Sequence, residues 1–175
     1  MDENFEIKLL SINWIDNLPD NGSDLCANGK VYLRIGDKIL SDAKNEDWTV
    51  SAATVFLLRT LENDYNEGDF YNFLLPCCGH YMVYEKNKPI IISGCNSGID
   101  WNIKHIDNEL VKHFIKNEID GIIHKENYKK QIYKFSDSVE YFYYKSKKRK
   151  FNNKYNKIAY KEFRKEWKKL RNIKI

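Results

Sequence analysis

The chain has 175 residues and a mass of 20.9 kDa, with 42% apolar residues, 14% aromatics and a formal net charge of +4. A chain of that size is expected to form one domain over 1–175, able to bury roughly two-thirds of the surface its unfolded form exposes without a stabilising metal or disulfide. The acidic start, Met1-Asp2-Glu3, lacks the charged and apolar pattern of a secretory leader, and no run approaches the ~18 apolar residues of a membrane span. A cytoplasmic location with four reduced cysteines is therefore expected.

Taken in chain order, Phe5, Ile7 and Leu9 alternate with Glu6 and Lys8 ahead of Ile12, Trp14 and Ile15, which predicts a first strand with one buried face. The Leu18–Asp24 stretch is a loop by composition, and its sequon Asn21-Gly22-Ser23 reads as a turn. Val31, Leu33 and Ile35 then alternate with Tyr32 and Arg34. Gly36-Asp37 before Ile39-Leu40 fits a type II′ hairpin turn, because glycine accepts positive φ at the first central position. Residues 49–62 hold no Gly or Pro and a nearly continuous apolar surface, so a buried helix is predicted there, with Asp47 or Thr49 capping its first amides.

Tyr81–Tyr84 and Pro89–Ile92 flank a polar loop as a second hairpin; Trp101–His105 and Leu110–Ile115 make a third. The links are too short for parallel crossovers, so antiparallel pairing is expected throughout. After Gly121 the period turns helical. Tyr128, Ile132, Phe135, Val139 and Phe142 form one stripe, and Tyr155, Ala159, Phe163, Trp167 and Leu170 form another. The predicted fold is α+β: an antiparallel β-meander built from hairpins, with one inserted buried helix at about 49–62 and two C-terminal amphipathic helices.

Charge divides the chain. Residues 1–123 hold 11 Lys+Arg against 20 Asp+Glu, net −9, whereas residues 124–175 hold 18 against 5, net +13. Either the basic segment docks on the acidic, mainly β part, or it faces an acidic partner.

Chemistry-bearing residues crowd one place, Leu75-Pro76-Cys77-Cys78-Gly79-His80 and Ser93-Gly94-Cys95, on the two arms of one predicted hairpin. Cys77 and His80 have the spacing of a zinc-gripping pair, and Cys26 with Cys95 would complete a tetrahedral set, although the second close pair of a strong zinc signature is missing. A catalytic reading makes a cysteine such as Cys78 the nucleophile, His80 its base and Asp100 the orienting acid. The plainer expectation is that these thiols are small apolar core residues, with Gly79, Gly94 and Gly98 serving turns. Gly94-x-x-x-Gly98 lacks the Lys-Ser/Thr ending of a phosphate loop, and His105, His113 and His124 are too scattered to be assigned a role.

In the basic segment Tyr141, Phe142, Tyr143 and Tyr144 run into Lys145, Lys147, Lys148, Arg149 and Lys150, interleaving the rings that stack on bases with the cations that neutralise phosphates. The last helix carries Lys161, Arg164, Lys165, Lys168, Lys169 and Arg171, but Glu162 and Glu166 interrupt that face as a membrane-binding surface. The functional expectation is a non-enzymatic, immunity-type or regulatory binding protein. Its acidic loops at 16–24, 42–47 and 62–69, together with exposed aromatics, would engage a basic protein partner. The alternatives are a zinc protein or Cys-His enzyme centred on Cys77, Cys78, His80 and Cys95, and a nucleic-acid binder using Lys145–Lys150. Zinc is the one cofactor that enters, and no small-molecule cofactor is indicated.

Overall fold

The structure, a computed structural model, describes residues 4–15, 18–79 and 81–172. It opens with three antiparallel strands, β1 (Phe5–Leu9), β2 (Val31–Ile35) and β3 (Lys38–Ser41), in the order β1-β2-β3. Phe5, Ile7, Val31, Leu33 and Ile35 bury one face, as their alternation requires. Gly36 has φ +59 while Asp37 stays out of the left-handed region, which is the type II′ pattern. The first strand stops at Leu9. Beyond it, Asn13 makes an isolated bridge to Asn28 instead of extending the sheet.

Helix α1 (Val50–Arg59) is shorter than the predicted span, and every residue from Val50 to Leu58 is buried. Neither expected cap forms. Thr49 holds the N-cap position, but its hydroxyl is shared between Asn28 Oδ1 and the Cys77 carbonyl, each at 3.2 Å, while Asp47 pairs with Lys30 and Asn13. Those bonds fix α1 to its surroundings at some expense to its own first turn.

Four short strands follow: β4 (Leu75–Pro76), β5 (Tyr81–Val83), β6 (Ile91–Ser93) and β7 (Gly98–Ile99), with β4 pairing β7 and β5 pairing β6. Then β8 (Asn102–Ile106), β9 (Leu110–Ile115) and β10 (Ile119–His124) build a second three-stranded sheet in the order β10-β9-β8. All pairing is antiparallel, as expected, but it is divided among four sheets. The strand β10 runs on to His124, past Gly121, where the sequence predicts helical periodicity.

Asn4 joins the two larger sheets. Its amide donates to the Ile122 carbonyl at 3.1 Å, its carbonyl accepts from Gly36 N at 2.7 Å, and its Oδ1 accepts from Ile122 N at 2.6 Å. At Gly121 a Cβ would lie 2.7 Å from the Asn4 carbonyl oxygen and 2.9 Å from Gly36 N, so a side chain there would separate the sheets.

Helices α2 (Lys125–Lys145) and α3 (Lys154–Leu170) complete the α+β fold. α2 lies against α1 and β1, and α3 against α1 and β5. Tyr128, Ile132, Phe135 and Val139 of α2 are buried, as are Ala159, Phe163 and Trp167 of α3. Tyr155 departs from its predicted stripe and is 50% exposed. The helices run antiparallel, held by Trp167 Nε1 donating to Ser136 Oγ at 2.9 Å and by Arg171 pairing Asp137 at 2.8 Å. Burial of Phe163 and Trp167 contributes about 2–3 kcal/mol each, which is what holds α3 down. Among the described residues, no helix is long and apolar enough to cross a membrane.

Candidate functional site

Two regions carry chemistry, a thiol corner at the β5–β6 hairpin and a basic surface on the helical pair. At the thiol corner, Cys77 and Cys78 lead into β5, and Cys95 follows β6 on the opposite arm. Cross-strand pairing of Tyr81 with Ser93 holds the arms together, and Cys77 N donates to the Ser97 carbonyl at 3.0 Å. Cys95 N donates to Cys78 Sγ at 2.8 Å. The Cys78 and Cys77 side chains beside Cys95 hold its thiol pKa below the usual value. Burial, with Cys95 beside them, pushes Cys77 and Cys78 upward. Of the three thiols, Cys95 therefore loses its proton most readily.

The close approach rests on Gly94. A Cβ there would fall 1.9 Å from the Cys78 carbonyl oxygen and 3.1 Å from its Sγ, so only glycine lets the arms come this near. Gly94 thus serves a backbone crossing, where the sequence suggested a turn.

The remaining sulfur-site candidates lie elsewhere. Cys26 is buried, donates its thiol to the Gly79 carbonyl at 3.1 Å, and is pushed by burial to a pKa of about 12. That thiol is the apolar core cysteine of the plainer expectation. His80 lies outside the described residues. Asp100 uses its carboxylate to accept from Tyr65 Oη at 3.0 Å, Gly68 N at 2.9 Å and Leu74 N at 3.0 Å, which ties the 65–74 loop to β7 and β8. Burial raises its pKa against the pull of those donors. Among the described residues, no group of three or more His, Cys, Asp or Glu side chains is arranged to hold a metal ion.

The basic surface is sorted by residue type. Arg149, named with the nucleic-acid candidates, is buried; its Nη2 meets both Asp20 oxygens at 2.6 and 2.8 Å, its Nη1 donates to the Asp24 carbonyl at 3.0 Å, and its guanidinium lies 4.0 Å from the Trp14 ring centre. Burial works to raise the Asp20 pKa, but the Arg149 bond and the amides of Lys147 and Gly22 outweigh it and leave the carboxyl lowered. Arg164 pairs with Glu140, and Arg171 with Asp137. Glu166 turns toward α1, meeting Arg59 at 2.8 Å and accepting from Ile90 N at 2.7 Å, and Glu162 pairs with Lys165.

Several lysines and three tyrosines remain outward. Lys145, Lys147, Lys148, Lys150, Lys154, Lys157 and Lys161 are exposed around one end of the helical pair, beside Tyr141 at 61%, Tyr144 at 80% and Tyr155 at 50% exposure. The α3 contribution, Lys154, Tyr155 and Lys157, was missed from sequence because Tyr155 fitted the buried stripe.

The acidic loops are largely committed internally. Asp20 meets Arg149, Asp47 meets Lys30 at 3.1 Å, Glu62 meets Lys125 at 2.7 Å and Asp64 meets Lys104 at 3.0 Å, while Asp69 accepts from Asn66 N. Trp14 and Trp101 are buried and Trp48 is half-buried, so none stands open beside those loops. Asp16 lies outside the described residues.

No protein-family model, curated protein or solved structure matches this chain.

Proposed function

We propose that this protein is a binding module for an anionic polymer, single-stranded nucleic acid in the first instance, and that it uses the lysine and tyrosine surface where α2 gives way to α3. One observation carries the reading. Arg149, Arg164 and Arg171 are each held by a carboxylate, Asp20, Glu140 and Asp137, and Glu166 is held by Arg59, whereas Lys145, Lys147, Lys148 and Lys150 stay exposed with Tyr141 and Tyr144. Mobile ammonium groups neutralise phosphates, and exposed rings stack on bases with little sequence preference. The reading of a basic protein partner on the acidic loops loses support from the ion pairs that occupy those loops.

Fluorescence anisotropy of a labelled single-stranded oligonucleotide tests this. With about four phosphates neutralised, affinity should fall about 50-fold between ~50 and ~200 mM salt. Replacing Lys145, Lys147, Lys148 and Lys150 together by Gln should remove that salt dependence without unfolding the protein. Absence of binding at the lower salt sinks the proposal. Equal binding of polyglutamate would transfer it to an acidic protein partner.

A further inference from the structure

We propose that Cys78 and Cys95 form an oxidant-responsive thiol pair, which closes a disulfide between the two arms of the β5–β6 hairpin when a peroxide reaches Cys95. The inference is separate from nucleic-acid binding and stands on the thiol corner alone. The two residues already touch, Cys95 N lying 2.8 Å from Cys78 Sγ. Gly94 is what allows the contact, because any side chain there would collide with the Cys78 carbonyl. The residues also differ in access: Cys95 is exposed, whereas Cys77 and Cys78 are half-covered, so an oxidant arriving from solvent meets Cys95 first. The neighbouring Cys78 and Cys77 side chains ease loss of the Cys95 proton, and the thiolate is the form that attacks peroxide.

The chemistry closes in two steps. The Cys95 thiolate attacks one peroxide oxygen; an S–O bond forms, the O–O bond breaks, and the departing hydroxide takes a proton to leave as water. Cys78 sulfur then attacks the sulfur of the resulting sulfenic acid; an S–S bond forms, the S–O bond breaks, and the hydroxyl leaves with the Cys78 proton as a second water. Two thiols lose two electrons and one peroxide gains them. Thiol-based reductants would reverse the bond by exchange.

The rest of the molecule supplies an internal reference. Cys26 is fully enclosed, donates to the Gly79 carbonyl and has its thiol form enforced by burial, so it should ignore both peroxide and alkylating agents in the folded protein.

The test is intact-mass and peptide analysis of the reduced protein after exposure to hydrogen peroxide. The expected result is a loss of about 2 Da, a Cys78–Cys95 linked peptide, and full reversal by dithiothreitol. Cys77→Ser should leave the response intact. In the Cys77→Ser/Cys78→Ser double variant, which lacks both neighbouring thiols and whose fold is checked by circular dichroism, sulfenic acid should persist on Cys95 and be captured by dimedone at least about tenfold more than on Cys26. A bridge between any other pair, an unchanged mass, or capture at Cys26 equal to that at Cys95 would overturn the proposal.

Discussion

The sheet region and the helical segment spend their charges in opposite ways. In residues 1–123 an excess of carboxylates is drawn into structure: Asp20, Asp47, Glu62 and Asp64 each meet a cation, and Asp100 ties a loop. In residues 124–175 it is the arginines that are drawn in, over rings and against carboxylates, while most of the lysines, Lys125 on Glu62 apart, remain in water. Guanidinium is planar, weakly hydrated and able to make several fixed bonds, so it tolerates burial; ammonium holds its water more tightly. The same formal charge thus builds the molecule in one residue and leaves its surface charged in another. Net charge alone could not have separated the two.

The largest effect that would test this division is Arg149→Ala. It strips Asp20 of its cation and Trp14 of the guanidinium above it, and should cost about 2–3 kcal/mol in urea unfolding. That is below the ~3–5 kcal/mol of a wholly enclosed pair, because the Asp20 side chain keeps 20% exposure. Arg149→Lys should recover only part of the loss. If Arg149→Ala unfolds at the parental urea concentration, the sorting of arginine from lysine is wrong.

The next effect lies in the core and depends on pH. His113 is fully buried, stacks on Phe5 at 3.6 Å, and accepts from Trp101 Nε1 through Nδ1 at 3.0 Å; burial holds its pKa well below the usual value. The folded state therefore keeps it neutral, while the unfolded chain takes up a proton below pH ~6.5. Below that pH the unfolded state binds more protons, so stability must fall as pH falls, by up to about 1.4 kcal/mol per pH unit until the folded pKa is reached. Urea melts between about pH 7 and pH 5 should show this slope, and His113→Gln should flatten it. A parental protein equally stable across that window would contradict the neutral, enclosed imidazole.

The smallest effect is the counterpart of the first. Lys147→Gln and Lys148→Gln should each change stability by less than about 0.5 kcal/mol, since both side chains are exposed. A loss comparable to that of Arg149→Ala would mean that these lysines are structural and would remove the basis for the binding surface.

Much of the fold was legible in the sequence, because it was written locally. Gly36 announced its hairpin, and the period-three-and-four stripes announced α2 and α3. What escaped was set by partners far along the chain. The strand β10 went unseen because its turn has no glycine: Asn117 adopts φ 61 in its place, and Gly121 looked like an interruption when it was a meeting point with Asn4. Thr49 was correctly placed at a helix start, yet its hydroxyl is diverted to Asn28 and Cys77, which no local pattern predicts. Of the candidate site, the sequence brought Cys77, Cys78 and Cys95 to one place, but the exclusion of Cys26 depends on the closed core around Gly79. The direction each lysine and arginine takes was likewise hidden, since it depends on which carboxylate the finished fold brings near.

The bonds of Asn4 and Ile7 also govern the order in which this chain can fold. Asn4 closes on Ile122, and Ile7 N donates to Gln131 Oε1 at 2.8 Å, so the opening strand finds its last partners more than a hundred residues downstream. While the polypeptide is being synthesised, β1 can pair with β2 early but must keep an unsatisfied edge until the ribosome has released α2. Closure over such separations carries a high entropic cost and proceeds slowly, so the nascent protein passes through an interval in which a foreign strand, or a second nascent copy, could take the place reserved for its own later half.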